Sequence, residues 1–185
     1  MVRAFIAVDV NDNSIINKIN DTIQALSELS LKIKFVETEN LHITLRFLGE
    51  ISEGDVLTIK ENVISKLKCE PFNIVLKGLG AFPNNENPRV IWIGISEGFD
   101  FLKKLKIQID DLLIKNGFKL SHEEFVAHLT IGRIKFGKSS ALKELLEQYR
   151  NFDYGTIKVN SVKLKKSTLT RQGPIYENLV EANCK

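Results

Sequence analysis

Asn40-Leu41-His42-Ile43-Thr44-Leu45-Arg46-Phe47-Leu48-Gly49-Glu50 and Phe125-Val126-Ala127-His128-Leu129-Thr130-Ile131-Gly132-Arg133 are two β-type runs built on one core, a histidine, an aliphatic residue, a threonine and another aliphatic residue. Side chains alternate between faces along a strand, so His42 and Thr44 share one face while Ile43 and Leu45 anchor the other. His128 and Thr130 stand in the same relation to Leu129 and Ile131. The chain has 3 histidines, and two of them occupy these matched sites. A lone strand histidine is an ordinary half-exposed residue; a repeated four-residue pattern is a structural signal.

Outward from these runs, the order of elements repeats as well. Residues 3–9 read as a strand, 14–29 as a helix with Ile15, Ile16, Ile19, Ile23, Leu26 and Leu29 near helical spacing, and 41–48 as a strand. Ser52-Glu53-Gly54-Asp55 reads as a helix start, and residues 72–79 return to β character. Pro83 and Pro88 bracket a loop of Asn84, Asn85, Glu86 and Asn87. Then come a strand at 89–96, a helix at 99–115, the second histidine strand at 125–134, a helix capped by Ser139 or Ser140 and running to Tyr149, β-type residues 156–166, and a short strand at 176–182. The order β-α-β-α-β is written twice. It predicts one α+β domain over 1–185, with approximate repeats 1–82 and 89–166 and a C-terminal tail. Each of two pseudo-symmetric lobes would be an antiparallel sheet covered by helices, with a cleft between them.

The 185 residues carry 26 basic and 23 acidic side chains, a formal charge of +3, and 43% hydrophobic residues. Disordered, collagen-like and coiled-coil compositions are thereby excluded. No run approaches the roughly 18 apolar residues of a membrane span, and the apolar start ends at Asp9 without a secretory pattern, so a cytoplasmic protein with no membrane partner is expected. Cys69 and Cys184 lack metal or redox spacing and read as free thiols in a reducing compartment. Gly78-Leu79-Gly80 is not a dinucleotide fingerprint, and no phosphate-binding GxxxxGK[ST] loop is present.

Two imidazoles facing each other across a cleft suit acid-base chemistry, because an unperturbed histidine titrates at about 6.5. One would take a proton from a nucleophile and the other give one to a leaving oxygen. Thr44 and Thr130 would hydrogen-bond a phosphate, and a cation would stabilise its charge. Arg46 shares the His42 face by parity; Arg133, five residues beyond His128, needs a bulge to join. From Gly155 to Tyr176 there is no acid, and Lys163 and Lys165 on one side of a strand would either line an RNA surface or protect a solvated edge. His122 reads as a surface residue, and Trp92 and Phe47 as core aromatics with a second reading as base-stacking platforms. Acids are absent from the histidine motifs, which argues against a metal hydrolase and leaves no metal or other cofactor to expect.

These residues resemble the 2H phosphoesterases and, within them, the RNA 2′,3′-cyclic phosphodiesterases also called 2′-5′ RNA ligases. The resemblance rests on both histidine runs, on Arg3-Ala4-Phe5-Ile6-Ala7, on Pro88-Arg89-Val90-Ile91-Trp92, and on Ser167 followed by Gly173-Pro174-Ile175-Tyr176. Ala127 departs from the proline that the family commonly places before its second histidine. The resemblance implies metal-free opening of a terminal RNA 2′,3′-cyclic phosphate to a 2′-phosphate, with ATP-independent 2′-5′ ligation as the reverse. It makes His42 the proton donor and His128 the acceptor, a pair that the pattern alone does not orient. It also implies a monomer acting on RNA ends, tRNA fragments among them. The rivals are a 2H enzyme for another cyclic phosphate or a 2′-5′ oligonucleotide, and a binding module for RNA or a nucleotide that has lost turnover.

Overall fold

The computed structural model describes residues 1–185. In chain order it contains β1 (Val2–Asp9), α1 (Asn13–Ser27), β2 (Lys32–Phe35), β3 (His42–Ile51), α2 (Glu53–Asn62), β4 (Phe72–Phe82), β5 (Val90–Glu97), α3 (Phe99–Lys115), β6 (Leu129–Phe136), α4 (Ser140–Gln148), β7 (Asp153–Val159), β8 (Ser161–Thr170) and β9 (Gly173–Asn183). Short 3₁₀ turns lie at Thr38–Asn40 and Ile64–Lys66.

Local chemistry accounts for the helices. Asp12 caps α1 by accepting from the Ser14 and Ile15 amides, and Ile15, Ile19 and Leu26 fall on its buried face. Thr22, on that face, shares a hydrogen bond with the Tyr154 hydroxyl at 2.9 Å. Ser52 and Asp55 close the expected capping box at the start of α2. In α3, Leu102, Leu105, Ile109 and Leu113 are buried at helical spacing.

The strands form one nine-stranded sheet in the order β7-β4-β5-β6-β3-β1-β8-β9, with β2 added against β6. The expected α+β, two-lobed antiparallel architecture is present, with an exchange that the linear repeat conceals. Counted outward from the β6/β3 centre, β5 corresponds to β1, β4 to β8 and β7 to β9. Yet β4, from the first repeat, lies beside β5, and β8, from the second, lies beside β1. The helices cross over too: α1 packs on β7 and α3 on β3. The two halves of the sheet meet through a single residue pair, Ile43 opposite Leu129. Both side chains are fully buried, so their neighbours on either side face the cleft.

Four details differ from the sequence expectations. The short β2 is an added strand, residues 156–166 divide at Asn160 into two strands, and His128 precedes β6 in an irregular segment. The cysteines are not free thiols: Cys69 and Cys184 form a disulfide, with Cα atoms 4.7 Å apart across 115 residues of sequence. The fold brings them together because β9 returns along β8, and the Lys185 amide then donates to the Cys69 carbonyl at 2.9 Å. No helix is long and apolar enough to cross a membrane.

Candidate active site

His42 opens β3, directly opposite Asp9 of β1. Its Nδ1 lies 2.6 Å from the Asn40 carbonyl oxygen. A carbonyl can only accept, so Nδ1 carries the proton and Nε2 is left free for chemistry. His128 repeats the device, with Nδ1 2.7 Å from the Val126 carbonyl oxygen. In both motifs the acceptor is the carbonyl two residues earlier, so the backbone entering each motif selects the tautomer. Antiparallel pairing of Ile43 with Leu129 sets His42 towards Thr130 and Thr44 towards His128, and the four side chains share the face opposite the buried pair.

Aromatic rings fix both imidazoles. His42 sits in a corner made by Phe5, at 4.9 Å between ring centroids, and Tyr176, edge-on at 5.3 Å. His128 meets Phe82 edge-on at 4.9 Å and Trp92 at 6.5 Å. Trp92 therefore belongs to the floor of the cleft as well as to the packing; a Cβ on the neighbouring Gly80 would stand 2.4 Å from its ring. Burial disfavours the imidazolium and lowers the pKa of both histidines. For His42 the Asn40 carbonyl and Asp9 oppose that shift, while Lys165 and His128 add to it. For His128 the Val126 carbonyl opposes it and Arg133 adds to it.

A matched pair of bulges decides the fate of the two arginines. Thr44 pairs with Ala7 and Arg46 with Ile6, so Leu45 has no partner; Thr130 pairs with Trp92 and Gly132 with Ile91, so Ile131 has none. Each extra residue reverses the parity of the strand beyond it. The side chain four beyond the histidine turns towards the helices, and the one five beyond turns into the cleft. Arg133 thereby joins the site, with its charge felt at both His128 and Tyr176. Arg46 does not, and its assignment as a substrate ligand is corrected. Its side chain is 7% exposed, its Nε donates to Asp110 Oδ1 at 2.7 Å, and its Nη1 donates to the Ser121 carbonyl. Nη2 pairs with Asp110 Oδ2, which also holds Lys106. The position in the first motif equivalent to Arg133 is Phe47, which is 51% exposed.

The edge reading of Lys163 and Lys165 fails, and neither ammonium group is free. β8 lies between β1 and β9, so it is not an edge, and both ammonium groups pair with Asp9 at 2.7 Å. Lys165 also donates to Asn178 Oδ1 at 2.9 Å. Burial would raise the Asp9 pKa, but the two lysines outweigh it and hold the carboxyl below its ordinary value. His122 is exposed in the irregular segment before β6, as expected.

Two further groups stand beside the cleft, both from stretches that carry the family resemblance but lie outside the histidine motifs. Tyr176 reaches it from β9, and Arg3 lies over the Phe47 ring, with its Cζ 5.1 Å from the centroid. Arg3 is legible in one respect, since it shares parity with Phe5 on β1. No three or more His, Cys, Asp or Glu side chains gather as metal ligands. A separate concavity lies around the disulfide, between the end of β9 and α3, and contains neither motif histidine.

The family model described as LigT like Phosphoesterase matches residues 8–92 and again 93–176. A protein of Archaeoglobus fulgidus named RNA 2′,3′-cyclic phosphodiesterase is 42% identical over 178 residues, covering 96% of this chain and 98% of that protein. One of the same name from Aeropyrum pernix is 41% identical over 158 residues, covering 85% and 89%. Among solved structures, E. coli LigT complexed with 3′-AMP superposes with a TM-score of 0.78 at 22% identity, covering 100% of this chain and 98% of that one. A Thermus thermophilus protein superposes with a TM-score of 0.72 at 25% identity, covering 98% and 97%.

Proposed function

The chain belongs to the LigT-like phosphoesterase family, and from that membership and its two-histidine cleft we propose that it is an RNA 2′,3′-cyclic phosphodiesterase that opens the terminal ring to a 2′-phosphate. The observation that carries this reading is the pair of imidazoles, each with Nδ1 fixed on a backbone carbonyl and Nε2 free. One base and one acid on a shared face are what in-line displacement at a cyclic phosphate requires.

In the forward direction His128 takes a proton from water through Nε2 as its oxygen attacks phosphorus. His42, protonated, gives its Nε2 proton to the departing 3′ oxygen, which would otherwise leave as an unstable alkoxide. The orientation of this pair follows the family likeness. Repulsion between the two imidazolium charges, expressed as the lowering of the His42 pKa by His128, favours the singly protonated pair that such catalysis needs. Thr44 and Thr130 would donate to the non-bridging oxygens, and Arg133 would balance their charge through the displacement. Replacing water by a 5′-hydroxyl RNA end in the same steps, so that its oxygen bonds to phosphorus as the 3′ oxygen departs, gives 2′-5′ ligation driven by the ring strain of the cyclic phosphate. The scheme uses no metal and no nucleotide cofactor.

The test is incubation of the protein with RNA ending in a 2′,3′-cyclic phosphate, with EDTA present, followed by identification of the terminus. A 2′-phosphate is expected. His42→Ala and His128→Ala should each lose about 100- to 10,000-fold in kcat with the fold retained. Full activity in both variants would refute the mechanism.

A further inference from the structure

Arg46, Lys163 and Lys165 are engaged by carboxylates, but the cleft keeps other donors without partners. Arg3, Arg133 and the Tyr176 hydroxyl make no hydrogen bond or ion pair within the protein. Thr44, Thr130 and Arg133 surround the place of the reacting phosphate and suffice for its two non-bridging oxygens. Arg3 and Tyr176 are left over. Both stand on the β1/β9 side of His42, around Phe5: the Tyr176 ring meets Phe5 at 5.0 Å, and Arg3 is one same-face step, about 7 Å, along β1 from Phe5. Arg133 and Arg3 both come close enough for their charges to act on Tyr176. A guanidinium and a phenol, both partnerless donors, make an anion-recognising pair displaced from the reacting centre.

We propose that Arg3 and Tyr176 form a second phosphate subsite, which takes the phosphodiester one nucleotide 5′ to the reacting end, so that the protein reads a polynucleotide rather than a lone cyclic nucleotide. The inference rests on the two-histidine reading for the place of the first phosphate. The same pair also gives the cleft a direction, because the RNA must run from the ring held between the histidines out over Phe5 towards Arg3.

The experiment compares kcat/KM for a 2′,3′-cyclic mononucleotide with that for a dinucleotide bearing the same terminus, in the wild type, Arg3→Gln, Arg3→Lys and Tyr176→Phe. The wild type should prefer the dinucleotide. Arg3→Gln and Tyr176→Phe should each cut that preference about tenfold, the effect of losing one hydrogen bond to a charged group, and Arg3→Lys should restore part of it. Equal losses on both substrates, or none on either, would overturn the proposal. A second measurement does not depend on turnover. The quenching of Trp92, the single tryptophan, reports binding of a dinucleotide or mononucleotide ending in an unreactive 3′-phosphate. Arg3→Gln should reduce the salt slope of dinucleotide affinity by about 0.7 and leave the mononucleotide slope as it was. An unaltered dinucleotide slope would also overturn the subsite. Absence of turnover in the wild type refutes the two-histidine reading, and the binding measurement then decides the subsite separately.

Discussion

Asp110→Ala tests whether Arg46 holds the fold or the substrate. In the wild type the Arg46 guanidinium, 7% exposed, is paired through both Nε and Nη2 with a carboxylate on α3. Removing that carboxylate leaves a buried cation with the Ser121 carbonyl as its other partner. Unpairing a buried charge costs about 3–5 kcal/mol, and the partial exposure of Asp110 places this case near the lower end. For a chain of this length that corresponds to a fall in Tm of about 6–12 °C. Arg46→Met should cost less, about 1–2 kcal/mol, because Lys106 still neutralises Asp110 and the methionine fills the apolar volume. Burial acts to raise the Asp110 pKa, but Arg46 and Lys106 outweigh it and lower the value in the folded state. The pair therefore contributes above the ordinary carboxylate pKa, and its contribution is lost as pH falls through the depressed folded value, so the stability gap between wild type and variants closes on acidification. The assay is denaturant or thermal unfolding across pH, alongside kcat/KM per folded molecule. Turnover within about twofold of wild type in Arg46→Met is expected; a loss of tenfold or more with unchanged stability would return Arg46 to the substrate and refute the bulge argument.

Both histidine pKa values are lowered by burial, so the singly protonated pair is most populated below the usual histidine range. The bell-shaped profile of kcat/KM, which reports the free protein, should peak below about pH 6.5, and a peak well above it would contradict the assigned environments. The disulfide closes a loop spanning 115 residues. By chain entropy it should contribute about 4–5 kcal/mol, so Cys69→Ser with Cys184→Ser, or the wild type under strong thiol reductant, should unfold at much lower denaturant; equal midpoints with and without reductant would argue against the bond.

The histidine-threonine quartet is legible in the sequence because alternation along a strand is a local property and both motifs obey it up to the threonine. Arg46 is misplaced by that rule one step later, at Leu45, where a bulge is defined by the partner strand β1 rather than by residues of β3. The same irregularity brings Arg133 in, as its offset of five requires. Lys163 looks free in the sequence because the acid that neutralises it, Asp9, is 154 residues away. The disulfide is hidden in the same way, since compartment and spacing say nothing about where β9 ends. Arg3 and Tyr176 lie in stretches that mark the family, but nothing local assigns them a role; the sheet order places them beside His42.

The crossing of β4 and β8 has a consequence for how the molecule comes into being. During synthesis the first repeat emerges with β1 lacking its β8 neighbour and β4 lacking β5, so its edges are open until the later strands arrive. Neither repeat holds a complete lobe, and a chain divided in the Pro83–Pro88 loop would yield two fragments that each need the other. Fragments 1–82 and 89–185 are thus candidates for complementation, inert apart and competent together. The two histidines, though each lies in a local motif, reach working geometry only as a joint product of the finished chain.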